Sequence, residues 1–194
     1  MLLAEIAPGL RRWTARHEEW KEDVGCVAVD TDDGLVLIDP LDPPSEVGLP
    51  DHVLLTLFFH ARSAQAPHVW AHERIVRRLG SRGVDVNHPF TVGDPLPGGI
   101  QAFQSARASE VVYWLPRQKA VVVGDVLLGA GAKPHATTDP LRLCPEGWLE
   151  GATLDDLRAS LAPLLELAVV RVLPSHGEPV LRGGSRALAT VLAG

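Results

Sequence analysis

Cysteine is scarce in this chain, and clustered positive charge is missing. The two cysteines, Cys26 and Cys144, stand far apart and form no C-x-x-C unit. That excludes a disulfide framework and a zinc knuckle, and it suits a reducing cytoplasm, the expected compartment. No run of Lys and Arg exceeds two residues, and the formal net charge is −6. Phosphate backbones and anionic lipid surfaces need a concentrated basic face, so neither nucleic acid nor a membrane is expected as a partner. No basic stretch followed by a long apolar one opens the sequence, so no secretory leader is expected. Every apolar run falls short of a bilayer span. No Ser/Gly linker or low-complexity block divides the chain, so its 194 residues are expected to form one domain, 1–194. With 46% hydrophobic and 22% charged residues, the composition is that of a globular protein with a real core.

The patterning that is present mixes strands and helices. Residues 25–29 and 35–39 flank the turn signal Thr31-Asp32-Asp33-Gly34 and read as a hairpin. Residues 52–59 form a continuous apolar run, expected for a strand buried on both faces. A short helical turn over 63–66, a strand over 68–71 and a helix over 73–79 follow, an alternation that predicts parallel pairing with crossovers. In the second half, 99–103, 110–115, 120–125 and 169–174 read as strands. The helix over 154–167 has Thr153 and Asp156 at capping-box spacing and one leucine face, and a closing helix spans 185–192. Residues 131–145 read as a long loop that contains Gly and Pro.

Four segments, in order, carry a resemblance. Leu35-Val36-Leu37-Ile38-Asp39-Pro40 resembles a strand ending in Asp, and Val53-Leu54-Leu55-Thr56 a strand leading into an H-x-H-x-D-H metal loop. Val121-Val122-Val123-Gly124-Asp125 resembles a segment whose Asp bridges two metals. Val172-Leu173-Pro174-Ser175-His176-Gly177 resembles a late loop that carries the last metal histidine. Together they resemble the metallo-β-lactamase superfamily, which implies an α/β fold, the four-layer αββα sandwich. The same resemblance shows what has been lost. The positions that supply metal ligands in the superfamily hold Leu57, Phe59, Ala61 and Arg62, and the next falls near Ala106. Three of these side chains have no donor atom, and Arg62 is a permanent cation. Asp125 and His176 remain, so an ordinary dinuclear zinc site is not expected.

Each remaining candidate has a functional and a structural reading. His60 is a relocated ligand or general base, or else a loop histidine held by a carboxylate. Asp125 holds a metal or pairs with Arg62, whose guanidinium would replace the lost metal charge; the ion pair is the expected reading. His176 is a ligand, an acid–base group or a relic of the fold. Asp39 is expected to order the loop through backbone hydrogen bonds. Arg62 and Glu110 are the candidates for gripping a substrate, although Glu110 also fits a solvated strand start, the expected reading. His68 and His72 are expected to be solvated.

The reading that follows is a fold member with a degraded metal site and no cofactor, acting as a pseudoenzyme that binds a small molecule or a protein partner. An exposed strand edge also allows a homodimer. The alternative is a hydrolase of esters, thioesters or phosphoesters with one zinc, manganese or iron ion on His60, Asp125 and His176. A third reading is metal-free acid–base chemistry by His60 and His176, with Arg62 beside a developing oxyanion.

Overall fold

A computed structural model describes residues 3–194, which form two compact units that divide between Gln101 and Ala102. In the first, β1 (Ala4–Ala7), β2 (Leu10–His17), β3 (Glu22–Thr31) and β4 (Gly34–Ile38) run as an antiparallel meander. The sheet continues in parallel through β5 (His52–Leu55), β6 (His68–His72) and β7 (His88–Phe90), giving seven strands in sequence order. The helix α1 (Glu73–Gly80) follows β6 and turns Ile75 and Leu79 into a core with Trp13, Cys26, Leu37, Val53 and Leu55.

The expected hairpin is present, with Val27 opposite Ile38 and Thr31 opposite Gly34. The strand expected over 52–59 ends at Leu55. The Thr56 amide donates to the Asp39 carboxylate, which pulls the chain off the sheet, and residues 58–60 form a single 3-10 turn. Residues 62–63 make a turn, and no helix forms over 63–66. Strands β1 and β2 had no clear signal in the sequence, because Arg11, Arg12 and Arg16 interrupt the apolar alternation of β2.

The second unit holds a sheet in the order β13-β10-β9-β8, built from β8 (Gln101–Gln104), β9 (Val111–Leu115), β10 (Ala120–Val123) and β13 (Arg171–Pro174). β10 and β13 are parallel, and β9 and β10 antiparallel. Helices α2 (Leu154–Leu161) and α3 (Gly184–Leu192) contribute Leu157, Leu161 and Leu188 to a core with Val112, Val121 and Val172. The capping box at α2 is complete, with Thr153 and Asp156 each bonding the other's backbone N–H. The α-helix is shorter than expected and gives way to a 3-10 segment, Ala162–Glu166, because Pro163 has no N–H to continue the ladder. The stretch over 131–145 is partly ordered: β12 (Leu141–Leu143) pairs with β11 (Leu127–Gly129).

Candidate functional site

The chemistry-bearing residues collect where parallel strands end, the place in α/β sheets where backbone leaves the ladder and side chains converge. In the first unit these are the carboxyl ends of β4 and β5. Asp39 follows β4 with a left-handed backbone, φ 48°, a conformation that costs a non-glycine residue energy and recurs at functional sites. Its buried carboxylate accepts from the Thr56 amide at 2.9 Å, from the Thr56 hydroxyl, and from Nδ1 of His60 at 2.7 Å. A carboxylate only accepts, so Nδ1 of His60 carries the proton in this bond. His60 is fully buried. The expected loop histidine paired with a carboxylate is thus realised, and Asp39 orients this ring as well as the backbone.

Trp20, at the β2–β3 turn, has its ring centroid 6.3 Å from that of His60, stacks on His17 at 3.9 Å, and lies 5.1 Å beneath the Arg62 guanidinium. Arg62 is therefore fixed against an aromatic face. Leu57 is fully buried, and Phe59 packs beside Phe58 against the first core. The Cys26 thiol nearby is pushed up to about 12 by burial, opposed by Arg62.

In the second unit the site lies at the carboxyl ends of β10 and β13. Asp125 follows β10 and His176 follows β13, and the Ser175 amide bonds the Val123 carbonyl to keep the two ends together. Nε2 of His176 is 3.3 Å from Oδ1 of Asp125. The other carboxylate oxygen, Oδ2, accepts from Nη1 of Arg107 at 2.9 Å. The same Nη1 is 3.5 Å from Oε2 of Glu110, and Nε of Arg107 is 3.9 Å from Oε1 of Glu150. Burial alone would depress the Arg107 guanidinium, but the Glu110, Asp125 and Glu150 carboxylates outweigh it and raise its pKa above the ordinary value.

Glu110 departs from its expected solvated state. It is 1% exposed, and its Oε1 accepts the amides of Asp125 at 2.8 Å and Val126 at 3.1 Å. It sets the loop that presents Asp125, a use for a buried acceptor that a solvated strand start could not have. The cation that this unit supplies to Asp125 is Arg107, a residue that the sequence did not single out. Arg107 stands one residue beyond Ala106, where the resemblance places a metal ligand, and that adjacency was the signal that could have found it. Trp20 and Glu150 carried no signal of their own.

His72 is also not solvated: it is buried and caps α1, accepting the Arg74 amide at 3.2 Å. His68 is exposed, with Nδ1 2.9 Å from Nε2 of His88 and its ring over His52.

No protein-family model matches the sequence, and no curated protein is similar to it. Its fold has many solved counterparts. DIM-1 metallo-β-lactamase exposed to ceftazidime superposes with a TM-score of 0.70 at 14% identity, covering 99% of this chain and 96% of that one. The metallo-β-lactamase from Pontibacter korlensis gives 0.69 at 18% identity over 99% and 98% of the two chains. FIM-1 from Pseudomonas aeruginosa, in its mono-zinc form, gives 0.68 at 15% identity over 99% and 94%. The chain has the metallo-β-lactamase fold, an α/β sandwich, as the four sequence segments implied. Among the described residues no helix is long and apolar enough to cross a membrane.

Proposed function

We propose that this metallo-β-lactamase-fold chain is a binding protein with a degraded metal site, taking a small molecule or a protein partner without hydrolysing it. One observation carries the reading: the Arg107 guanidinium lies 2.9 Å from Asp125 and 3.5 Å from Glu110, in a buried cluster. A protein cation here supplies charge that a metal supplies in a dinuclear site, and it does so without an open coordination position for water. Leu57, Phe59 and Ala61, at the lost ligand positions, offer no donor atoms. The residues present do not fit a dinuclear centre.

A second reading rests on a different observation. The 3.3 Å between Asp125 Oδ1 and His176 Nε2 matches the edge of about 3.3 Å expected between two ligands of one tetrahedral zinc. In that reading Asp125 and His176 hold a single zinc, manganese or iron ion, and the sequence adds His60 as the third ligand. Such an ion would activate water toward an ester, thioester or phosphoester.

Elemental analysis of untagged protein, purified without chelator, separates the two. The binding-protein reading expects well under one transition metal per chain and no thermal shift with zinc, manganese or iron. One stoichiometric metal, lost in His176→Ala, would overturn it in favour of the mononuclear hydrolase.

A further inference from the structure

Away from Asp125 and His176, the second unit has a cavity of about 840 Å³ between β12, the start of α2, and α3. That volume lies within the range of small-molecule sites. Its floor is apolar: Leu143, Leu154, Val180 and Val191 line it while packing against the second core. Its rim is not. Four arginines, Arg142, Arg158, Arg182 and Arg186, line it with a single acidic side chain, Asp139. In a chain of net charge −6 this reverses the prevailing sign.

The arginines differ in what already holds them. Nη2 of Arg142 donates to the carbonyls of Ala132 at 2.8 Å and Pro134 at 2.6 Å, which fixes that side chain in place. Arg158 pairs at 2.8 Å with Asp155, whose side chain is 94% exposed and so weakly committed. Arg182 and Arg186 are exposed, and neither has an ion-pair partner among the described residues. A hydrocarbon wall beneath guanidinium groups suits a ligand with an apolar body and one anionic end. The planar guanidinium fork matches a carboxylate in particular.

We propose that this cavity binds a small amphipathic carboxylate, an alkyl or aryl chain seated on Leu143, Leu154 and Val191 with its carboxylate at Arg182 and Arg186. The site lies wholly within the second unit and requires neither a metal nor Asp125, so it stands or falls apart from the metal question. The full chain is titrated with decanoate below its micellar range, by calorimetry and by amide resonances. Saturable one-to-one binding is expected, with shifts concentrated at residues 141–158 and 180–191. The double variant R182E/R186E is expected to bind at least about tenfold more weakly. R74E/R77E, which makes the same charge change at exposed positions of α1, is expected to bind as the parent does. Decyltrimethylammonium, with the same tail and the opposite charge, is expected to bind at least about tenfold more weakly than decanoate. Absence of saturable binding, equal binding of the cationic tail, or full affinity in R182E/R186E would overturn the proposal. Circular dichroism verifies that the variant is folded, and R182Q/R186Q replaces it if it is not.

Discussion

Replacing Arg107 by methionine keeps a flexible apolar stem and removes the guanidinium. The side chains left behind are deeply enclosed: Glu110 is 0% exposed and Asp125 12%, and Arg107 itself is only 7% exposed. Water cannot readily replace the lost cation, so the variant retains buried carboxylates without their nearest counter-charge. Breaking such a pair from one side costs about 3–5 kcal/mol. For a chain of 194 residues, that corresponds to a fall in Tm of about 6–20 °C. Calorimetry or circular dichroism melts measure the loss directly. Asp125→Asn, alone and combined with Arg107→Met, completes a thermodynamic cycle. If the two groups are paired, the double variant loses clearly less than the sum of the single losses. If the guanidinium stands where a metal would, zinc at a hundredfold excess over its Kd restores about 2.7 kcal/mol to Arg107→Met and nothing to the parent. Additive losses, or an Arg107→Met variant within about 0.5 kcal/mol of the parent, would refute the reasoning.

Three further outcomes follow from the same geometry. Burial pushes the thiols of both Cys26 and Cys144 up to about 12, so neither alkylates at pH 8 in the native protein and both do so in denaturant; rapid native labelling of either would contradict this. His72 is held below the ordinary histidine value by burial and then by Arg74, and its neutral ring accepts the Arg74 amide. Its contribution is therefore complete above the unfolded-state value and is lost as pH falls from there through the lower folded-state value, and His72→Asn, which keeps an acceptor, should flatten that slope in urea melts. A Cβ at Gly129 would collide with the Glu178 carbonyl, just past the loop that carries His176, so Gly129→Ala is expected to cost at least about 1–3 kcal/mol; a neutral effect in denaturant melts would show that the loop yields freely.

The residues of the two units were unequally legible. The β3–β4 hairpin, the α2 capping box and the four strand-end segments follow from local spacing, because turn chemistry and alternation act over a few residues. Local pattern could also say that Leu57, Phe59 and Ala61 cannot bind metal, since that depends only on which atoms the side chains possess. It could not say what surrounds Asp39, His60 and Asp125. Thr56 leaves the sheet for Asp39, 17 residues earlier, and His60 reaches back 21 residues to the same carboxylate. Arg107 and Asp125 are 18 residues apart, and Glu110 reaches 15 residues to the amide of Asp125. Each of these bonds exists because neighbouring strands end at the same level, and strand register is set by packing across the sheet. The sequence by itself determined the β3–β4 hairpin, the α2 cap and which side chains have no atom to offer a metal. Only the tertiary structure decided which carboxylate meets which cation, because burial, which makes those pairings strong, is a property of the assembled core.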